Sequence, residues 1–201
     1  MTDIFQKVSA VILAGGLSSR MGRSKAELEW DGMTLLEHQA KKLQMLGIRD
    51  ILVSGYPEPP DGTGSVVDRY PKKGPLSGIH AGLSAAVNEH CLIVSVDTPL
   101  MPVNALEELV TTHLAGASGI TILSHEDKLE PLMGVYDKKL AGMAEEILGT
   151  DNTSVRVLLR RAGYSEYAYT GDVLLLCDCN TPEEYASAKR INERGLQAVG
   201  R

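Results

Sequence analysis

Gly15, Gly16 and Gly22 share one loop with Ser18, Ser19, Arg20, Arg23 and Lys25, and no acid falls between Ser18 and Lys25. Glycine lets the backbone take up positive φ and approach a ligand closely, and it leaves amide N–H donors exposed. The three cations add the charge that phosphate oxygens attract. A polyphosphate needs this combination. The loop lacks the Gly-x4-Gly-Lys-Ser/Thr spacing of a P-loop and the Gly-x-Gly-x-x-Gly of dinucleotide-binding turns, so both readings lose support. The alternative is a solvated β–α connection with no ligand.

Other candidates lie further along. Asp97 follows the apolar run Cys91–Val96 and precedes Thr98-Pro99, so its carboxylate is fixed at the end of a buried segment. An aspartate in that place also serves as a turn or helix cap. Asp178 and Asn180 follow Val173–Cys177, which reads as a strand, and a spacing of two puts both on one strand face. Cys177 and Cys179 then face the other way, into the core. Thr181-Pro182 with Glu184 would start a helix whether or not the preceding residues have a function. Arg156 and Arg160, four apart, share a helix face that is equally well a solvated surface.

The elements that position these residues follow from hydrophobic periodicity. Val8–Leu13, Ile51–Val53, Ser65–Val67, Cys91–Val96 and Gly119–Leu123 are short apolar, β-branched runs, hence strands. Ala26–Trp30 alternates and reads as a short strand. Thr34 with Glu37 forms a capping box ahead of a stripe of Leu35, Leu36, Gln39, Leu43 and Leu46, closed by Gly47. The three prolines between Gly55 and Gly64 exclude a helix there. Helices are expected from Pro75 to Asn88 with Ile79, Leu83 and Val87 on one face, and over Val103–Leu114, Asp137–Leu148, Thr153–Arg161 and Pro182–Arg194, with Glu130–Tyr136 extended. Alternating strands and helices at this spacing imply an α/β fold: a Rossmann-like three-layer α/β/α sandwich on a mostly parallel sheet. Ligands of such sheets bind beyond the carboxyl ends of the strands, where Gly15, Gly16, Asp68 and Asp97 all fall. No linker composition interrupts the chain, so residues 1–201 read as one domain.

The string Leu13-Ala-Gly-Gly-x-Ser-x-Arg20-Met-Gly-x-x-Lys25 resembles the signature loop of nucleotidyltransferases that join a nucleotide to a phosphorylated acceptor and release pyrophosphate. Ala14-Gly15-Gly16 is more similar to the molybdenum cofactor guanylyltransferases than to the cytidylyltransferases. The resemblance extends from Val8 to about Ile191 and is densest in the first half. It implies the nucleotide-diphospho-sugar transferase fold, with a nucleotide-binding N-terminal half and an acceptor-binding C-terminal part. By that likeness Leu13, Ala14, Gly15, Gly16 and Lys25 bind the triphosphate, and Arg20, Lys25 and Asp97 are catalytic. Asp68 with Gly74-Pro75-Leu76-x-Gly78 matches the stretch that contacts the nucleotide, where an aspartate could accept the N1–H and N2–H of guanine. Gly74 and Gly78 would let the backbone lie close to base and ribose. Asp97 carries the family's metal position, with Asp178 or Asn180 as a second candidate, and Mg²⁺ suits such oxygen-only ligands. Pro131, Ser154, Arg156 and Asn180 match the acceptor side. Two departures stand out: Asp178 replaces the family's asparagine, and Ser54-Gly55 occupies the place of its base-recognising asparagine.

The resemblance implies transfer of GMP from GTP to molybdenum-bearing molybdopterin, with Mg²⁺ as cofactor and transient contact with other molybdenum cofactor proteins and acceptor reductases. A cytidylyltransferase, or an enzyme with another phosphorylated acceptor, is one alternative; a catalytically silent nucleotide-binding regulator is another. A net charge of −6 argues against nucleic acid as a partner, since nucleic-acid binders present a basic face. No stretch reaches the length of a membrane span or of a signal-peptide core. Three cysteines make no disulfide framework, so a cytoplasmic setting is expected. The five histidines show no metal-ligand spacing.

Overall fold

The computed structural model describes residues 4–15 and 24–199. Its elements in chain order are β1 (Val8–Leu13), β2 (Glu29–Trp30), β3 (Met33–Thr34), α1 (Leu35–Met45), β4 (Asp50–Ser54), β5 (Gly64–Val66), α2 (Pro75–Ala85), β6 (His90–Ser95), α3 (Val103–Ala115), β7 (Ile120–His125), β8 (Lys128–Asp137), α4 (Ala141–Leu148), α5 (Val155–Ala162), β9 (Ser165–Ala168) and α6 (Pro182–Val199). Seven strands form one sheet in the order β5-β4-β1-β6-β8-β7-β9, and β2 pairs with β3 as a separate hairpin. The pairs β5/β4, β4/β1, β1/β6 and β7/β9 are parallel. β8 runs antiparallel to both of its neighbours, so the sheet is mixed at that one strand.

Alternation along the strands divides the core into two layers. Val8, Ala10 and Ile12 of β1 pack with Leu36, Leu43, Leu106 and Leu109 of α1 and α3, and Ala188 of α6 joins that side. Val11 and Leu13 point to the other face, with Leu76, Ile79 and Leu83 of α2, Ile147 of α4 and Leu158 of α5. Two glycines let α2 lie tight on the sheet. A Cβ at Gly82 would meet Val11 at 2.5 Å, and one at Gly78 would meet Leu13 Cδ2 and Ser54 Oγ at 2.9 Å. Gly78 therefore serves helix–sheet packing.

Thr34 and Glu37 form the expected capping box on α1. Other elements differ from expectation. Lys25–Glu27 is a 3₁₀ turn, leaving only Glu29–Trp30 as strand. α2 stops at Ala85, so Val87 lies outside it and is exposed. Val173–Leu176 is a 3₁₀ turn and not a strand, because the Asp172 carboxylate caps the Leu174 amide at 2.9 Å. The edge strand is β9 instead, a polar segment with no apolar run to announce it. No helix among the described residues is long and apolar enough to cross a membrane.

Candidate active site

The loops at the carboxyl ends of β1, β4 and β6 interlock. The Ala14 amide donates to Ser54 O at 2.8 Å, and the Val96 amide donates to Leu13 O at 3.1 Å. Gly15 and Gly55 then pass backbone to backbone. Gly55 has φ +84°, and a Cβ there would stand 2.3 Å from Gly15 Cα. Only glycine fits that crossing. Ser54-Gly55, which departs from the family's asparagine, is thus the support on which the Gly15 turn rests. Leu13 and Ala14 are buried in this support and Gly15 is exposed at its end. Gly16 and Arg20, with Arg23, lie outside the described residues.

Three segments distant in sequence meet beside that turn. Lys25 Nζ donates to Asp97 Oδ2 at 2.6 Å and to Asn180 Oδ1 at 2.5 Å. The other Asp97 oxygen accepts the Ser95 hydroxyl, and the Cys179 amide donates to Asp97 O at 2.8 Å. Asn180 is free to face Lys25 because Thr181 and Glu184 do the capping of α6: Glu184 Oε2 accepts the Asn180 and Thr181 amides at 2.9 and 3.0 Å, and Thr181 Oγ1 accepts the Glu184 amide. The capping that competes as a reading of this stretch is here carried by Thr181 and Glu184. Cys179 is buried, as expected, though the segment is extended chain and not a strand. α6 also grips the β2–β3 hairpin through Lys189–Glu29 at 2.5 Å and Asn192–Asp31 at 2.7 Å, which holds the segment after Lys25 against the base of Asn180.

Asp178 stands exposed beside this group. Desolvation by the surrounding protein, then the negative charges of Asp97 and Glu130, push its carboxyl up to about 6. Glu130 reaches the area because β8, running antiparallel, begins at this edge. Glu130 pairs with Lys128 at 2.6 Å and with His125 at 3.1 Å. Lys128, Glu130 and His125 carried no sequence signal, since their approach depends on the reversed strand. Pro131 follows in the bulge where β7 pairing jumps from Ile122↔Gly134 to Leu123↔Glu130, and its carbonyl accepts the Tyr136 hydroxyl at 2.6 Å.

A second set of residues missed from sequence holds the Asp97 loop from below. On α1, Gln39 Nε2 donates to Ser95 O at 2.8 Å and Thr98 O at 3.1 Å. Lys42 Nζ donates to Pro99 O and Met101 O at 3.1 and 3.0 Å, and His38 Nε2 meets Pro99 O at 3.1 Å. Burial pushes the Lys42 ammonium down to about 7. The signal was present in Gln39, a polar residue inside an apolar stripe.

The remaining candidates gather around the α2 N-terminus. Asp68 Oδ1 accepts the Tyr70 amide at 2.7 Å and the Ser77 hydroxyl, so one oxygen is committed to the turn. Gly74 has φ +80° with open space where a Cβ would be, Pro75 opens the helix and Leu76 is buried. Ser154 caps α5 by accepting the Arg156 amide at 3.2 Å, and Thr153 Oγ1 donates to Lys73 O at 2.8 Å. Ser154 and Arg156 thus sit next to the Gly74 loop, and Arg156 and Arg160 are both exposed.

Residues 10–167 match the family model described as the MobA-like NTP transferase domain. The chain is 35% identical over 144 residues to a probable molybdenum cofactor guanylyltransferase of Carboxydothermus hydrogenoformans, covering 71% of this chain and 72% of that one. It is 32% identical over 195 residues to the molybdenum cofactor guanylyltransferase of Rhizobium johnstonii, covering 91% and 92%. Among solved structures, molybdopterin-guanine dinucleotide biosynthesis protein A from Archaeoglobus fulgidus superposes with a TM-score of 0.78 at 20% identity, over 92% of this chain and 99% of that one. The fold agrees with that likeness, and the family match covers most of the chain: the chain belongs to the MobA-like NTP transferase family.

Proposed function

We propose that the protein transfers GMP from GTP to the terminal phosphate of molybdenum-bearing molybdopterin, forming the guanine dinucleotide and releasing pyrophosphate. The observation that carries the reading is the Lys25 ammonium held between Asp97 Oδ2 and Asn180 Oδ1 beside the Gly15 turn. Relatives named molybdenum cofactor guanylyltransferase support the choice of nucleotide and acceptor.

The oxygen donors around Lys25 fit a hard divalent cation. Asp97 and Asn180 already enclose a positive charge, and Asp178 adds a carboxylate whose pKa is raised first by desolvation and then by the charges of Asp97 and Glu130. Asp97, with Asn180 or Asp178, would hold Mg²⁺, which bound there offsets charge on the α-phosphate. Lys25 swings from its carboxylate partner to the triphosphate, and the Gly15 amide is presented by its crossing with Gly55. Arg20 supplies a second cation. The acceptor phosphate is already ionised, so the reaction needs no general base; positioning and electrostatics carry it. Asp68, through its uncommitted oxygen, and the Gly74-Pro75-Leu76 turn take the nucleotide. Pro131, Ser154, Arg156 and Asn180 take the acceptor, all within one domain working in the cytoplasm. Incubation with GTP, Mg²⁺ and loaded molybdopterin, followed by chromatography of the dinucleotide, tests the proposal; pyrophosphate release without dinucleotide would refute the acceptor.

A further inference from the structure

At the sheet edge opposite Asp97, three residues far apart in sequence converge. His90 opens β6, His113 lies in the last turn of α3, and Asp137 closes β8 directly across from His90. His90 Nδ1 is 2.8 Å from Asp137 Oδ1. His113 Nε2 is 3.2 Å from that same oxygen and 3.1 Å from His90 Nδ1. His113 is buried, and the His90 side chain is 31% exposed, so the cluster opens to solvent on one side.

The outer contact of His113 is set by geometry: its Nδ1 lies 3.0 Å from Thr121 Oγ1, which in turn lies 3.0 Å from Ser165 Oγ. In the tautomer that donates Nδ1–H to Thr121, the Nε2 lone pair faces Asp137 Oδ1 and His90 Nδ1.

We propose that His90 Nδ1, His113 Nε2 and Asp137 Oδ1 form a binding site for a divalent transition-metal ion of the Zn²⁺ class, separate from the nucleotide site. Tetrahedral bonds of about 2.0–2.1 Å place ligand atoms about 3.3 Å apart, close to the triangle these three atoms already make. With the ion on Nδ1, the neutral His90 ring carries its proton on Nε2. The Nδ1–H of His113 on Thr121 is the outer contact that orients a metal-bound imidazole. Lys139 Nζ holds the other Asp137 oxygen at 2.7 Å, and its exposed side chain can turn to water. Two imidazoles and one carboxylate favour Zn²⁺, Co²⁺ or Ni²⁺ over Mg²⁺. The solvent side, at His90, leaves a fourth position for water. An ion there ties β6, α3 and β8 together.

The test is titration of untagged, metal-stripped full-length protein with Co²⁺, followed by its visible ligand-field absorption, and thermal unfolding with and without Zn²⁺. The expected results are one Co²⁺ per chain with tetrahedral-type bands and a Tm raised by Zn²⁺. His90→Ala, at the half-exposed position, abolishes both responses, and Thr121→Val weakens Co²⁺ binding about ten- to a hundred-fold. Asp97→Asn leaves both responses intact. Absence of bands and of a Tm shift in the unsubstituted protein would overturn the proposal, as would an undiminished response in His90→Ala. Loss of binding in Asp97→Asn would also overturn it, by moving the ion to the nucleotide site.

Discussion

Lys25 Nζ lies 2.6 Å from Asp97 Oδ2, joining the loop after the first strand to the loop after β6. Both side chains are partly buried, at 18% and 16% exposure, and under the proposed function Lys25 exchanges this partner for the triphosphate. Lys25→Ala and Asp97→Ala should each lower turnover about 100- to 1,000-fold, the effect of removing one electrostatic partner of a reacting group. Both variants should remain folded, as far-UV circular dichroism would show. Asp178→Asn, which restores the residue of the family pattern, should keep turnover near that of the unsubstituted protein. Steady-state pyrophosphate release checks all three.

The Gly15–Gly55 crossing makes a sharper claim about stability. Gly55→Ala would place a Cβ against Gly15 Cα in a left-handed backbone conformation, and should cost roughly 2–4 kcal/mol. Gly142→Ala is the control. That glycine lies exposed in α4 with nothing near its absent Cβ, and the change should stabilise by about 0.5–1 kcal/mol. Urea unfolding of the two variants compares them directly.

Lys42 gives the stability a dependence on pH. Its folded pKa of about 7 lies below the unfolded value of 10.5, so between those values the unfolded chain binds the extra proton. Stability contributed at Lys42 therefore rises with pH from 7 toward 10.5, by at most about 1.4 kcal/mol per pH unit, and is flat below 7. Lys42→Met should remove this rise. The difference in unfolding free energy between the two proteins, measured at pH 7 and pH 9, reads it.

Gln39 holds two carbonyls of the Asp97 loop. Gln39→Leu keeps the volume and leaves Ser95 O and Thr98 O without that donor, at a cost of about 1–3 kcal/mol. Chemical denaturation measures the loss.

Much of this architecture was legible from periodicity. β1, β4 and β6 are short apolar runs buried on both faces, which is why their ends, and with them Gly15 and Asp97, could be placed at one edge. The Thr34–Glu37 box was legible because capping is local. Val173–Leu176 misled, since an apolar run reads as strand unless the aspartate before it turns the chain, and β9 was missed because its residues are polar. The sequence also pointed to Asp178 and Asn180 but not to what separates them from a plain cap; that division of labour with Thr181 and Glu184 exists only in three dimensions. His90, His113 and Asp137 were invisible for a similar reason: their spacing is long, and the reversed strand β8 is what brings Asp137 across from His90. Gly78 shows the converse, a motif residue whose place is set by packing on Leu13.

The central claim is tested most directly by nucleotide selectivity in the complete reaction. The protein is mixed with Mg²⁺, molybdenum-loaded molybdopterin and GTP, CTP or ATP in parallel, and pyrophosphate and dinucleotide are followed together. The account predicts equal amounts of both products with GTP and little with the other two. Dinucleotide from CTP in preference to GTP, or from none of the three, would contradict it.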